Sequence, residues 1–354
     1  MTTARADYDD QPEPRPTTFA VNPVVTLRID DGFPHPSAAM VLHRVLAKAA
    51  RQFLLNDMGN ELIGSDRQCG TIDALSSQMG PRPLWAQSAS SALDGTERGG
   101  TEADRIHQSR KALRCIRSNL RTFRLAFDPV WGTSVRAELA WYEDRLGKAG
   151  DLHTVARRVE ERAPDGTGAV LWDRLLSVVD AHASALMSDV DHERGGARRF
   201  QLTEQMMVLW DGPDFKAKTH KPAVDLLPSL LHRAWHDLRG AARSAKKDPS
   251  DAAFAKLGTR IMDLRYGCET VALAEGGPAR KVAKAARGLE AKLGDLRDAC
   301  FTIDWLEDLA EARQDLIDPI TQVLVAESEA AAVARRGWKR ELKEVERRWR
   351  KWQG

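Results

Sequence analysis

Five basic or titratable side chains recur at helical spacing in the segment IHQSRKALRCIRSNLRTF, residues 106–123. The intervals between them run 3-4-3-4, and residues three or four apart share one face of an α-helix. At about 100° per residue they span an arc of roughly 80°, with apolar side chains on the arc beside it. We call this set the cationic ladder: His107, Arg110, Arg114, Arg117 and Arg121. Such a helix can bury its apolar flank while the ladder meets an anion.

The composition of the ladder favours a phosphate ligand. A solvated helix face usually mixes acidic and basic residues, whereas this stripe contains no acidic residue and would repel itself without an anion. Arginine suits phosphate because its planar guanidinium donates two parallel hydrogen bonds and stays charged at physiological pH. His107 lies near the predicted start of the helix, where free N–H groups favour anions; the alternative is a histidine that hydrogen-bonds a neighbouring helix. We expect a linear polyanion to contact several of these residues at once.

Further basic residues on three other predicted helices are secondary candidates for contact with the same anion. They are Arg198, Arg199, Arg239, Arg243, Lys256, Arg260 and Arg265. For the first four, a solvated surface is the simpler interpretation. Lys256 and Arg260 are predicted on a different arc of their helix from Arg265. The ladder therefore remains the principal expected contact.

Catalytic and metal-binding motifs are not found in the sequence. There is no Walker loop, nucleophile elbow or HExxH motif, and the four cysteines form no CxxC pair. His232 and His236 stand at i, i+4, but no third ligand has suitable spacing nearby. We therefore expect no enzymatic activity, no cofactor and no metal site.

The composition favours an all-α fold. Apolar residues make up 42% of the 354 residues, aromatic residues only 6%, and β-branched residues are never clustered for long. Thr101 is expected to cap the helix that carries the ladder, with Asp104 completing the cap. Other helices are predicted over 37–56, 133–147 with a further run after Asp151, 169–190, 195–209, 228–248, 251–275, 278–293, 296–310 and 311–352. Residues 1–35 are expected to form a flexible tail, and 59–100 a long surface insertion.

The chain shows a degraded internal repeat. An offset of 148 places Ile116 and Arg117 on Leu264 and Arg265, which predicts two four-helix units in tandem. The second unit carries small or apolar residues where the first has the start of the ladder: Ala255, Gly258 and Met262 replace His107, Arg110 and Arg114. We expect an anion site centred on the first unit alone.

The motif IHQSRKALRCIR resembles the first motif of the CHAD family, the conserved-histidine α-helical domains, in which arginines follow a histidine at +3, +7 and +10. LGKAGDLHTV is similar to the end of the family's third helix, although Gly150 stands where an arginine is usual. In the second half, LRYGCE and LGDLRD retain part of the pattern. The resemblance covers about residues 36–310.

The resemblance implies two antiparallel four-helix bundles related by pseudo-twofold symmetry, with a basic groove between them. The first bundle would span about 36–210 and the second about 226–310, followed by a basic C-terminal extension over 311–354. It also implies non-catalytic binding of inorganic polyphosphate, with some family members located on polyphosphate granules. No signal peptide or membrane span is evident, so a cytoplasmic location is expected, at such granules or elsewhere.

Several alternatives remain open at the level of sequence. One is a helical scaffold or regulatory protein with a degenerate polyphosphate site, and another is binding of other polyanions such as nucleic acid. The C-terminal segment GWKRELKEVERRWRKW predicts a basic amphipathic helix. It could pack on the bundle, pair with a second copy in a homo-oligomer, or contact a membrane surface or nucleic acid.

Overall fold

The structure is a computed structural model that describes residues 36–57, 101–164 and 169–353. Within these ranges nine α-helices account for the fold and no β-strand forms, which confirms the all-α prediction. The helices are α1 Ala38–Asp57, α2 Glu102–Thr122, α3 Pro129–Glu160, α4 Ala169–Arg194, α5 Ala197–Asp211, α6 Ala223–Lys247, α7 Asp251–Glu275, α8 Gly277–Ala312 and α9 Ile317–Gln353. The predicted tail over 1–35 and insertion over 59–100 lie outside the described residues.

Helix α2 begins as the sequence predicts. The Thr101 hydroxyl accepts a hydrogen bond from the backbone N–H of Asp104 at 3.2 Å, and the Asp104 carboxylate accepts one from the Thr101 N–H at 2.9 Å. This capping box satisfies two backbone donors that the first helical turn would otherwise leave free. The apolar flank of the helix is buried: Ile106, Leu113, Ile116 and Leu120. The cap and the buried flank together fix the direction in which the ladder faces.

A close contact with α7 holds α2 in the middle of the helical array. Gly267 permits it, because a Cβ at that position would lie 3.1 Å from Thr122 Cγ2 of α2, and 2.4 Å from Leu231 Cδ2 of α6. The Thr122 hydroxyl donates to the backbone carbonyl of Asp263 at 3.3 Å. The Thr270 hydroxyl donates to the side-chain oxygen of Asn119 at 2.7 Å. Helix α2 also packs on α1 and α3. The ladder faces α3 and α7, whose carboxylates pair with its arginines.

Two of the predicted helix breaks are wrong. Helix α3 continues through Gly147, and α8 is one helix where separate helices over 278–293 and 296–310 were predicted. An interior glycine costs about 1 kcal/mol relative to alanine, an amount that packing along a long helix overcomes. Helix α6 also starts five residues earlier than predicted, with Pro228 in its second turn.

The order of helix contacts agrees with the internal repeat. In the first half α1 packs on α2, α2 on α3 and α3 on α4; in the second, α6 packs on α7, α7 on α8 and α8 on α9. Because α8 is continuous, α9 is the fourth helix of the second series. The grouping of these helices into two bundles about a pseudo-twofold axis stays a prediction.

Helix α9 packs with its apolar face on the rest of the protein. Trp338, Leu342, Val345 and Trp349 are buried in the main core, and the Trp235 ring stacks on Trp349 at 4.8 Å between centroids. The packing alternative for the C-terminal segment is therefore correct. In the part of the chain that the structure describes, no helix has the length and apolar character needed to cross a membrane.

Candidate functional site

The ladder lies between α3 and α7, which pack on α2 and supply carboxylates to its arginines; we call this strip of surface the groove. Its arginines are partly accessible, with 14% of the Arg110 side chain and 25% of the Arg121 side chain exposed to solvent, and His107 is exposed. At about 1.5 Å per residue, the ladder is about 21 Å long from His107 to Arg121. The predicted one-sided arrangement of these five residues is confirmed.

Carboxylates of neighbouring helices pair with every arginine of the ladder. Arg110 contacts Asp151 at 3.0 Å, and Arg121 contacts Asp263 at 3.0 Å. Glu143 accepts hydrogen bonds from both Arg114, at 2.8 Å, and Arg117. The expectation that only a bound anion could relieve repulsion along the stripe is therefore wrong, because α3 and α7 supply part of the compensating charge.

A cleft of about 320 Å³ opens at the His107 end of the ladder. Its size lies at the lower end of the range typical of small-ligand sites. Charged and titratable side chains from α2, α3 and α8 line it: Asp104, His107, Arg110, Arg114, Asp151, His153, Arg157, Arg297 and Asp298. Four arginines thus face three aspartates, and Arg297 pairs with Asp298 at 2.6 Å. The cleft can accept an anion in contact with cations from three helices.

Gly150 brings Arg110 against α3 inside this cleft. A Cβ at Gly150 would lie 2.6 Å from Arg110 Nη1 and 3.2 Å from Ile106 Cγ2. The glycine stands where the resembled motif usually carries an arginine. Glycine in place of arginine at this position therefore leaves α3 with one cation fewer and makes room for the guanidinium of Arg110.

The electrostatics of the cleft favour the neutral form of His107. Partial desolvation in the cleft lowers the pKa of His107, and the neighbouring cations Lys111 and Arg114 lower it further. Burial also lowers the pKa of Arg110, although Asp151 opposes the effect. The Nε atoms of Arg110 and Arg117 are buried without a hydrogen-bond partner among the described residues. The free groove thus has desolvated cations that an anion would stabilise.

A smaller cavity of about 20 Å³ lies at the other end of the ladder. Its charged lining comes from α2, the turn after it, α6 and α7: Arg121, Arg124, Arg233, Asp237, Arg260 and Asp263. Asp263 accepts hydrogen bonds from Arg121 and, at 3.2 Å, from Arg260. Burial raises the pKa of the Asp263 carboxyl, and the two arginines oppose this effect. The second repeat thus contributes Arg260 to the groove.

Comparison with known proteins identifies the family. The family model described as the CHAD domain matches residues 86–307 of this chain. The chain belongs to the CHAD family. No curated protein matches it.

Two solved structures show the same fold as this CHAD protein. One, the CHAD domain from the plant Ricinus communis, has a TM-score of 0.60 at 14% identity, over 88% of this chain and 92% of that chain. The other, PptA from Streptomyces chartreusis, has a TM-score of 0.53 at 18% identity, over 89% of this chain and 99% of that chain. At these identities the comparison establishes the fold only.

Two of the candidate arginines of this CHAD protein belong to its interior. Arg199 is buried and donates to Asp57, with its guanidinium 5.0 Å from the centre of the Tyr142 ring. Arg265 pairs with two glutamates, and its guanidinium lies 3.7 Å from the centre of the Tyr266 ring. Both charges are satisfied inside the fold, so we remove Arg199 and Arg265 from the candidate site.

Four other candidates are exposed but lie outside both cavities. Arg198 pairs with Glu138 at 2.8 Å and stacks over Trp141 at 4.1 Å. The remaining three, Lys256, Arg239 and Arg243, are exposed and line neither cavity. The structure does not bring these four side chains to the ladder.

The groove also contains basic residues that the sequence did not identify as ligands: Arg124, Arg157, Arg233 and Arg297. Arg297 lies in the LGDLRD motif, which was a signal for it, and it pairs with Asp298 of the same motif. Arg124 and Arg233 reach the groove through the turn after α2 and the packing of α6, neither of which the sequence pattern predicts.

The described residues contain no cluster of three or more His, Cys, Asp or Glu side chains suited to a metal ion. His232 lies edge-on to Trp349 at 5.7 Å, and the side chain of His236 is 78% exposed beside Asp237. We assign no metal-binding role to this pair.

Proposed function

We propose that this CHAD protein binds inorganic polyphosphate, without catalysis, along the groove beside α2. The observation that carries the proposal is the partly accessible ladder, about 21 Å long, which runs from the arginine-lined cleft at His107 to Arg121 beside Asp263. A linear polyanion can follow such a line of guanidinium groups and contact several at once. Membership of the CHAD family supports this choice of polymer.

The ion pairs of the groove explain why the ligand should be a polymer. An incoming phosphate must compete with Asp151, Glu143 and Asp263 for the same arginines. A single small anion gains one contact at this cost. A chain of phosphates makes its later contacts intramolecularly, at a high effective concentration, and can therefore displace carboxylates that a free phosphate cannot.

We assign no catalytic step to the groove. Each carboxylate that pairs with the ladder is held by at least one arginine, and Glu143 and Asp263 are each held by two. This arrangement suits retention of a polyanion. If the groove holds the polymer, association with polyphosphate granules follows from its affinity for the material of the granule.

Replacement of two ladder residues tests the proposal. The R110Q/R114Q double variant should lose retention on immobilised polyphosphate at about 150 mM salt, because affinity for a polyanion depends steeply on the number of ionic contacts. The matched control is R145Q/R198Q, which removes two exposed charges outside the groove. Circular dichroism should show unchanged helicity in both variants. Unchanged binding by R110Q/R114Q would exclude the ladder as the site.

A helical scaffold with a degenerate site is the second candidate function. The pairing of every ladder arginine with a protein carboxylate favours it, since such a network also joins α2 to α3 and α7 without any ligand. A competition experiment distinguishes the two candidate functions: labelled polyphosphate is bound first, and unlabelled RNA, DNA, short phosphate oligomers or long polyphosphate are then added. A polyphosphate site predicts saturable binding that long polyphosphate displaces best, whereas a scaffold predicts no saturable binding even at low salt.

A further inference from the structure

The exposed face of α9 carries a second stripe of basic residues. At about 100° per residue the stripe covers an arc of roughly 120°, and its members are Arg336, Lys339, Arg340, Lys343, Arg347, Arg350 and Lys351. All seven are exposed. Of the acidic residues in this part of α9, Glu344 and Glu346 flank the arc and Glu341 lies further round the helix. We call these seven residues the α9 stripe.

The α9 stripe is paired to a much smaller extent than the ladder. Arg340 contacts Glu341 at 3.1 Å and Arg347 contacts Glu344 at 2.7 Å, both within the helix. These side chains remain 84% and 64% exposed, respectively. Among the described residues, the other five form no ion pair with any side chain. Surface pairs of this kind contribute at most about 1 kcal/mol, so the stripe presents nearly its full charge to solvent.

The opposite face of α9 limits what the stripe can bind. Trp338 and Trp349 are buried in the core, so the helix cannot turn its apolar side into a bilayer as an amphipathic membrane helix does. Trp352 is half-buried, and no aromatic residue lies among the basic side chains to stack on bases. The stripe therefore recognises negative charge along a line, which is the chemistry of a phosphate polymer without bases.

The α9 stripe and the ladder lie on helices that do not pack directly on each other in this order of contacts. Helix α9 packs on α8 and α8 on α7, whereas the ladder faces α3 and α7 from α2. Residues 336–351 extend about 22 Å along the helix, which is close to the length of the ladder. The molecule thus offers two linear cationic surfaces of similar reach.

We propose that the α9 stripe is a second, outer binding site for inorganic polyphosphate, which makes the protein bivalent for this polymer. The inference rests on the proposed function of the groove. One stretch of polymer occupies the groove, and a second stretch, from the same chain or from another, lies on α9. Long chains then link protein molecules into networks, because each protein molecule can hold two stretches of polymer at once.

The test uses the full chain and the K339Q/K343Q/R350Q variant. Calorimetry with a short polyphosphate, too short to bridge two sites, should give two sites for the unaltered protein and one for the variant. Turbidity and sedimentation with long polyphosphate should show cross-linked complexes that the variant loses. The matched control is R145Q/K148Q/R174Q, which removes three exposed charges from α3 and α4. Thermal unfolding should be the same for all three proteins.

Comparison with R110Q/R114Q separates the two proposals. If that variant retains both sites while the α9 variant loses one, the groove proposal fails and the α9 site stands. If the α9 variant retains two sites and still cross-links long polymer, the inference is overturned. It is also overturned if the α9 variant loses binding only to anionic lipid vesicles or duplex DNA. Absence of polyphosphate binding by the unaltered protein overturns both.

Discussion

At the scale of single residues, carboxylates of the protein and phosphates of the proposed ligand compete for the same arginines in the groove. The spacing of the ladder indicated the basic partners, but no property of α2 alone revealed Asp151, Glu143 and Asp263 opposite them. These acids lie 26 or more residues away in the chain. Their positions depend on how α3 and α7 pack, and sequence periodicity does not specify this.

Neutralising Glu143 should strengthen binding. E143Q removes the one carboxylate that holds both Arg114 and Arg117, and polyphosphate affinity should rise by about tenfold, the equivalent of one charge-assisted contact no longer displaced. Equilibrium titration with labelled polymer measures the effect. The control is E138Q, whose partner Arg198 lies outside the groove. If E143Q only lowers the unfolding temperature and leaves affinity unchanged, the ladder is a structural network.

Binding should also strengthen as pH falls. The pKa of His107 is lowered in the free cleft, so the imidazole is mostly neutral at pH 7, and an adjacent phosphate would raise this pKa and favour the charged form. Affinity should therefore increase from about pH 7.5 to about pH 5.5. In H107Q the increase should be smaller, and comparison at each pH cancels the titration of the polymer itself. An identical pH slope in the two proteins would remove His107 from the site.

At the scale of helices, the sequence was informative wherever local spacing and burial act together. It predicted α2 with its cap, its buried flank and its ladder, and it predicted the apolar stripe of α9. It failed at Gly147 and within α8, where packing carries the helix across a residue with low helix propensity. It also gave no indication that α2 and α7 approach each other closely at Gly267.

Filling that close contact should destabilise the fold. In G267A the added Cβ would lie 2.4 Å from Leu231 Cδ2, and overpacking of this kind costs about 1–3 kcal/mol. Thermal unfolding should show a lower midpoint. The matched control is G258A on the same helix, where a Cβ meets nothing within 4 Å; it should unfold at the same temperature or higher, because alanine is the better helix former. Equal stability of both variants would show that Leu231 of α6 and Thr122 of α2 can move aside without cost.

At the scale of the whole molecule, the family motifs and the composition were sufficient for the fold class, and the family match and the helical structure confirm it. The degraded repeat predicted that the first half alone would supply the basic residues of the site, and the structure differs from this prediction. The second half contributes Arg260, Arg233 and Arg297 to the groove, although Ala255, Gly258 and Met262 replace the start of its own ladder. The site is therefore centred on α2 but assembled from both halves.

The salt dependence of polyphosphate binding measures how many ionic contacts the ladder makes with the polymer. For a polyanion, the logarithm of the association constant falls linearly with the logarithm of salt concentration, by about 0.7–0.9 for each phosphate contact in nucleic acids. If polyphosphate lies along the ladder, the slope should be steep for the unaltered protein and smaller by about 1.4–1.8 for R110Q/R114Q. Equal slopes for the two proteins, or no saturable binding at low salt, would contradict this placement of the polymer.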